Sequence, residues 1–183
     1  MVSRRIRHVF TLALGLTPFL AYGQVRQIGA PKPSPHITIG DSVTVTATPS
    51  AVSFQLVAGG VALASNPIVV TTAWSGISLL SSVNVYAYFG SSTAALSGSS
   101  PIVNIPSSLI SGKDATGIPT SFTPFSQAVP VAGASLQLYS LSSLLSLGGS
   151  HTDTLTLQID LTTLPQLPAA VYTGVLYFQA QAF

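Results

Sequence analysis

The chain has 183 residues, with six Lys and Arg, four Asp, no Glu and no Cys. Charged residues make up 5% of it, against about 25% in an average globular protein, so charged helical surfaces, acidic tails and basic nucleic-acid arms have nothing to be built from. One or two domains fit the length, and without disulfides the stability of such a chain rests on its core.

Residues Met1 to Gly23 place Arg4, Arg5 and Arg7 ahead of an apolar run from Val9 to Ala21 and end in Ala21-Tyr22-Gly23, with small residues where a signal peptidase reads. That is the layout of a secretory signal peptide. The alternative, an uncleaved anchor, asks for about 20 apolar residues, and this run is shorter and broken by Gly15 and Pro18. Arg7 and His8 stand where a twin-arginine signal wants apolar residues, so the expectation is Sec-type export to the periplasm, the cell surface or the medium.

Cleavage at Gly23 would leave Arg26, Lys32 and Lys113 against Asp41, Asp114, Asp153 and Asp160, a net charge of −1. Binding to nucleic acid or anionic lipid needs clustered cations, and this remainder has no cluster. No nucleic-acid partner and no membrane span after signal cleavage are therefore expected.

From Gln24 to His36 the chain is polar, with Pro31, Pro33 and Pro35 at alternate positions, and reads as an extended leader. A single domain is placed from Ile37 to Phe183. Its first run, Ile37 to Thr48, alternates Val43, Val45 and Ala47 with Thr44, Thr46 and Thr48, the period-two signature of a strand. Val52, Phe54 and Leu56 repeat it and close at Gly59-Gly60. Further strands are expected at Ile68 to Trp74, Val83 to Phe89, Ile102 to Ile105, Ser135 to Tyr139, Thr154 to Leu161 and Val171 to Ala182.

Leu138, Leu141 and Leu145 follow helical spacing, which makes Leu138 to Leu147 the one helical candidate, set against an irregular connection. Prolines at 101, 106, 119, 124 and 130 break the stretch from Gly90 to Val131 into long loops with short edge strands. No period of 20 to 50 residues repeats. Short runs bounded by Gly, Pro, Asn and Ser indicate an all-β fold, an immunoglobulin-like antiparallel β-sandwich of about 7–9 strands.

Reactive chemistry is thin. After cleavage only His36 and His151 remain beside the four aspartates. His151-Thr-Asp153 puts an imidazole and a carboxylate on one strand face, and His36 or Asp160 would be the third ligand of a zinc site; the competing reading is a polar strand entry after Gly148-Gly149. No Gly-x-Ser-x-Gly elbow supports a serine hydrolase, and four scattered aspartates do not supply the paired carboxyls of a glycosidase. Gly112-Lys113-Asp114 to Gly117 lacks the order of a phosphate loop and reads as a turn, and no cluster of acidic ligands suggests calcium. No cofactor and no catalysis are expected.

Trp74, Tyr86, Tyr88, Phe89, Tyr172, Tyr177 and Phe178 offer either a sugar-stacking platform or core packing. Strands whose outer faces carry Thr, Ser, Gln and Asn supply almost no charge repulsion, so their edges are templates for pairing with another copy or a sister subunit.

The closing run Leu167-Pro-Ala-Ala-Val-Tyr-Thr-Gly-Val-Leu-Tyr-Phe-Gln-Ala-Gln-Ala-Phe183 resembles the last strand of exported bacterial sandwiches of the spore coat protein U and chaperone-usher pilin type. The run Thr48 to Gly60 followed by Ile68 to Trp74 is similar to the opening strands of bacterial immunoglobulin-like domains. The resemblance implies a structural or adhesive subunit of the cell surface or extracellular matrix, with Ile37 to Ala47 as a donor strand and Val171 to Ala182 as the strand a chaperone holds. The alternatives are a small polysaccharide-binding module and an enzyme using His151 and Asp153.

Overall fold

Alternation of β-branched and small polar residues gives most of the chain a face to bury and a face to hydrate, and the chain resolves that pattern into strands. A computed structural model describes residues 42–76, 82–142 and 148–183. Among them the strands are β1 (Ser42–Thr48), β2 (Val61–Leu63), β3 (Ile68–Ser75), β4 (Val83–Phe89), β5 (Leu96–Gly98), β6 (Asn104–Ile105), β7 (Ile110–Asp114), β8 (Thr123–Pro124), β9 (Ser135–Leu141), β10 (Gly148–Asp160), β11 (Tyr172–Thr173) and β12 (Leu176–Ala182). One 3-10 turn, Ser107–Leu109, is the only helical element among the described residues.

Every pairing is antiparallel. The first sheet runs β1-β3-β10-β7-β8 with β2 also on β10, the second runs β12-β4-β9, and a small third sheet runs β11-β5-β6. The inner faces of the first two meet in one core. Val43, Val45, Ile68, Val70, Leu155, Leu157 and Ile159 come from the first, and Val83, Val85, Ala87, Leu136, Phe178 and Ala180 from the second. Each such aliphatic or aromatic side chain contributes roughly 1.5–3 kcal/mol when fully buried. β1 also lies against β12, so the free edges of the two sheets meet on one side.

The all-β expectation is met, and β4 falls where its alternation placed it. Several local expectations are corrected. Gly112-Lys113-Asp114 is not a turn but the end of β7, paired with Leu155 to Leu157 of β10. A Cβ on Gly112 would lie 2.5 Å from Leu136 Cδ2 and 2.9 Å from Leu155 Cδ1, so any larger residue there forces these two buried side chains to shift. β10 begins at Gly148 rather than Thr154, since pairing to β3 carries the polar Ser150-His151-Thr152 segment into the sheet.

Leu138 to Leu141 is strand, not helix, and residues 143–147 of that helical candidate lie outside the described residues. The run expected from Val171 to Ala182 divides at Gly174 into β11 and β12, where a Cβ would collide with the Ala95 carbonyl oxygen. Ile102 to Ile105 shortens to β6. Val52 to Leu56 keeps its alternating burial but pairs only through a bridge from Phe54 to Ala64. The signal peptide at 1–23, the leader at 24–36 and the first residues of the expected strand, 37–41, lie outside the described residues.

The proline-rich stretch is more ordered than expected because its side chains enter the core. Phe125 is fully buried and packs edge-on against Phe89 at 5.0 Å and 63°. Ser107, also fully buried, aims its hydroxyl at the carbonyl oxygens of Gly133 (2.6 Å), Phe125 (2.8 Å) and Ser92 (3.3 Å), tying three loop segments to one point. Among the described residues no helix is long and apolar enough to cross a membrane.

Candidate functional site

The pairing of β3 with β10 sets Thr72 opposite His151, Val70 opposite Asp153 and Trp74 opposite Gly149, so one end of the inner face is polar. His151 and Asp153, two positions apart on the same face, meet as the sequence suggests: Nε2 lies 2.8 Å from Oδ1. The third member is Asp114 at the end of β7. Asp160, the sequence-based candidate, lies seven residues along β10 on the opposite face, where its carboxylate accepts from Thr162 N and Oγ1. His36 lies outside the described residues.

Asp114 is 2% exposed and Asp153 not at all. Asp114 Oδ1 accepts from the backbone N–H groups of Thr116 (2.8 Å), Gly117 (3.1 Å) and Thr154 (3.2 Å), which wraps the 115–117 turn over the pair. A Cβ on Gly117 would stand 2.9 Å from Asp153 Oδ1, so glycine is what lets this turn close. The Oδ2 atoms of both aspartates are left buried without a partner.

Burial, partly offset by His151 and reinforced by Asp114, pushes the Asp153 carboxyl up to about 6. Removal from water penalises the charged form, and a second carboxyl nearby penalises it further.

The second sheet covers this cluster. Register between β4 and β9 slips between Val85 and Tyr86, pairing Val85 with Tyr139 and Tyr86 with Gln137, so Leu138 is an extra residue on β9. The bulge turns Tyr139 inward. Its ring stacks on His151 at 3.8 Å and on Trp74 at 6.4 Å, spanning the two sheets. Thr72 Oγ1 and Trp74 Nε1 are also buried without partners at this end. Asp114, Thr72 and Tyr139 had no signal in the sequence, because a strand-to-strand register and a bulge bring them to His151.

Chemically the cluster can hold a proton and link it to folding. Among the described residues no group of three or more His, Cys, Asp or Glu side chains is placed to hold a metal ion.

At the other end of the core an open groove of about 740 Å³ runs between the 51–58 segment and the 167–174 segment. Its floor includes the core residues Ile110, Leu157, Ile159 and Leu176, and its walls include Phe54, Leu56 and Val171. The C-terminal wall is held by Tyr172, whose hydroxyl donates to the Pro168 carbonyl at 2.8 Å. Val171 on that wall is 71% exposed.

The remaining aromatic candidates divide by face. Trp74, Phe89 and Phe178 are in the core, whereas Tyr86, Tyr88 and Tyr177 are half-buried on the outer face of the second sheet. Comparison of the chain with protein-family models, with curated proteins and with solved structures gives no match.

Proposed function

We propose that the protein is an exported, non-catalytic structural or adhesive subunit of the bacterial cell surface or extracellular matrix, built as an immunoglobulin-like β-sandwich and assembling with copies of itself. The observation that carries this reading is the open groove, whose apolar floor is continuous with the core. A partner's extended segment laid between its walls would bury surface that the chain alone leaves to water, and apolar burial is the main drive for such association.

Two further features support it. Among the described residues the charged side chains are Lys113, Asp114, Asp153 and Asp160, and the buried pair leaves only Lys113 and Asp160 to repel a neighbour. Among the described residues β1 and β12 each have a single hydrogen-bonded neighbour strand, although the two lie against each other. Sheet edges without charge are templates for strand addition.

The immunoglobulin-like assignment draws on the hydrogen bond from Tyr172 to the carbonyl four residues upstream, the corner that Greek-key sandwiches use where a strand begins. From Ser42 onward the segment expected to act as donor is paired with β3 of its own chain.

Sedimentation of the purified protein over a concentration series tests the proposal. Reversible oligomers that Val171→Asp weakens, with the unfolding midpoint unchanged, are expected. A monomer at every concentration would refute it.

A further inference from the structure

β4 places Val83, Val85, Ala87 and Phe89 in the core, which leaves Asn84, Tyr86 and Tyr88 on the outer face of the second sheet. β12 buries Leu176, Phe178 and Ala180 and leaves Tyr177 half-exposed, while Gln179, although it alternates toward the outer face, is itself buried. Register then builds rows across three strands. Tyr86 is flanked by Gln137 of β9 and Gln179 of β12, and Tyr88 stands opposite Tyr177.

The Tyr88 and Tyr177 rings stack at 5.3 Å and 20°, and Gln137 Nε2 donates to Asn84 Oδ1 at 3.2 Å, so these side chains are held in place before any ligand arrives. We propose that this face binds an uncharged, extended polysaccharide chain, with Tyr86, Tyr88 and Tyr177 against the sugar rings and the amides of Gln137 and Asn84 on the hydroxyls.

The chemistry of the occupant follows from the face. Phenol rings pair an apolar surface with a polar tip, and a carboxamide offers both a donor and an acceptor, which matches a pyranose ring with its apolar faces and its rim of hydroxyls. Among the described residues no charged side chain lies on β4, β9 or β12. Lys113 and Asp160 belong to the first sheet, so an acidic or basic polymer would find no counter-ion here. The aliphatic residues of β4 and β12 all point inward, leaving no aliphatic centre for a protein interface of ordinary size. Tyrosine costs little conformational entropy to order, and the stacked pair is already ordered. The face is on the opposite side of the second sheet from the core and the groove, so it works whether or not the copies assemble.

The test is retention of the purified protein on microcrystalline cellulose and on chitin, with soluble alginate as the charged arm. Retention on at least one of the neutral polymers is expected. Tyr86→Ala with Tyr177→Ala should weaken it by about tenfold or more, the loss of one to two stacked rings. Gln137→Leu, which keeps the side chain's bulk, gives a second reading should the double variant unfold, and should weaken retention several-fold. Val171→Asp should leave retention unchanged, which separates this face from the groove. No retention on either neutral polymer, retention indifferent to these substitutions in folded protein, or binding to alginate alone would each overturn the proposal.

Discussion

His151 Nε2 and Asp153 Oδ1 are 2.8 Å apart on one face of β10, and the carboxylate in that pair is wholly shielded from water while the imidazole is partly exposed. The hydrogen bond thus runs from the rim of the core to its interior. Asp114 completes the arrangement from β7, and the 115–117 turn closes over it.

This geometry makes stability depend on pH. Asp153 titrates near 6 in the folded chain against an ordinary value of 3.8, so folding favours its protonated form. Its contribution is complete below the unfolded value and is lost as pH rises through about 6. Urea unfolding should show the protein more stable at about pH 4.5 than at about pH 7.5, by about 1–3 kcal/mol. Asp160, whose pKa is lowered by Thr162, acts only below that window. Asp153→Asn should flatten the profile, and an unchanged slope in that variant would assign the effect elsewhere.

Gly112→Ala should destabilise the fold by about 1–3 kcal/mol, because the new methyl overlaps Leu136 and Leu155 in a packed layer. Chemical denaturation reads this directly. An unaffected midpoint would mean that β7 lies farther from the second sheet than described.

Phe125→Ala should cost about 3–5 kcal/mol, the range for removing a buried aromatic ring. The residue belongs to a proline-rich stretch that looks like loop, so a loss under about 1 kcal/mol would show that this stretch packs only loosely.

Ser107→Ala should cost about 1–3 kcal/mol by removing the one hydroxyl proton that the Gly133 and Phe125 carbonyls share, while the Ser92 carbonyl keeps the Ser107 backbone N–H. Hydrogen exchange should rise in the segments around Ser92, Phe125 and Gly133 while β3 and β10 stay protected. Uniform exchange across the chain would count against a local pin.

The strands written in period two were legible: β1, β3, β4 and β12 show their buried faces in the residue order itself. What hid the rest was context. β7 is concealed behind Gly112 and a charged pair, and only Leu136 and Leu155 explain why a glycine belongs there. β10 starts in polar residues that no propensity favours as core, yet β3 pairs with each of them from Gly148 to Leu155. The same holds for the candidate site. The i, i+2 spacing of His151 and Asp153 was visible, but Asp114 arrives through a strand register and Tyr139 through a one-residue bulge, and neither leaves a trace in local sequence.

Trp74 is the single tryptophan of the chain, and it shares the end of the core occupied by Tyr139, His151 and the two aspartates. Intrinsic fluorescence therefore samples one corner of the molecule, where the Asp153 carboxyl gains or loses its proton. An emission titration can follow that corner while a far-ultraviolet signal follows the sheets, so the indole acts as a native optical probe that needs no label.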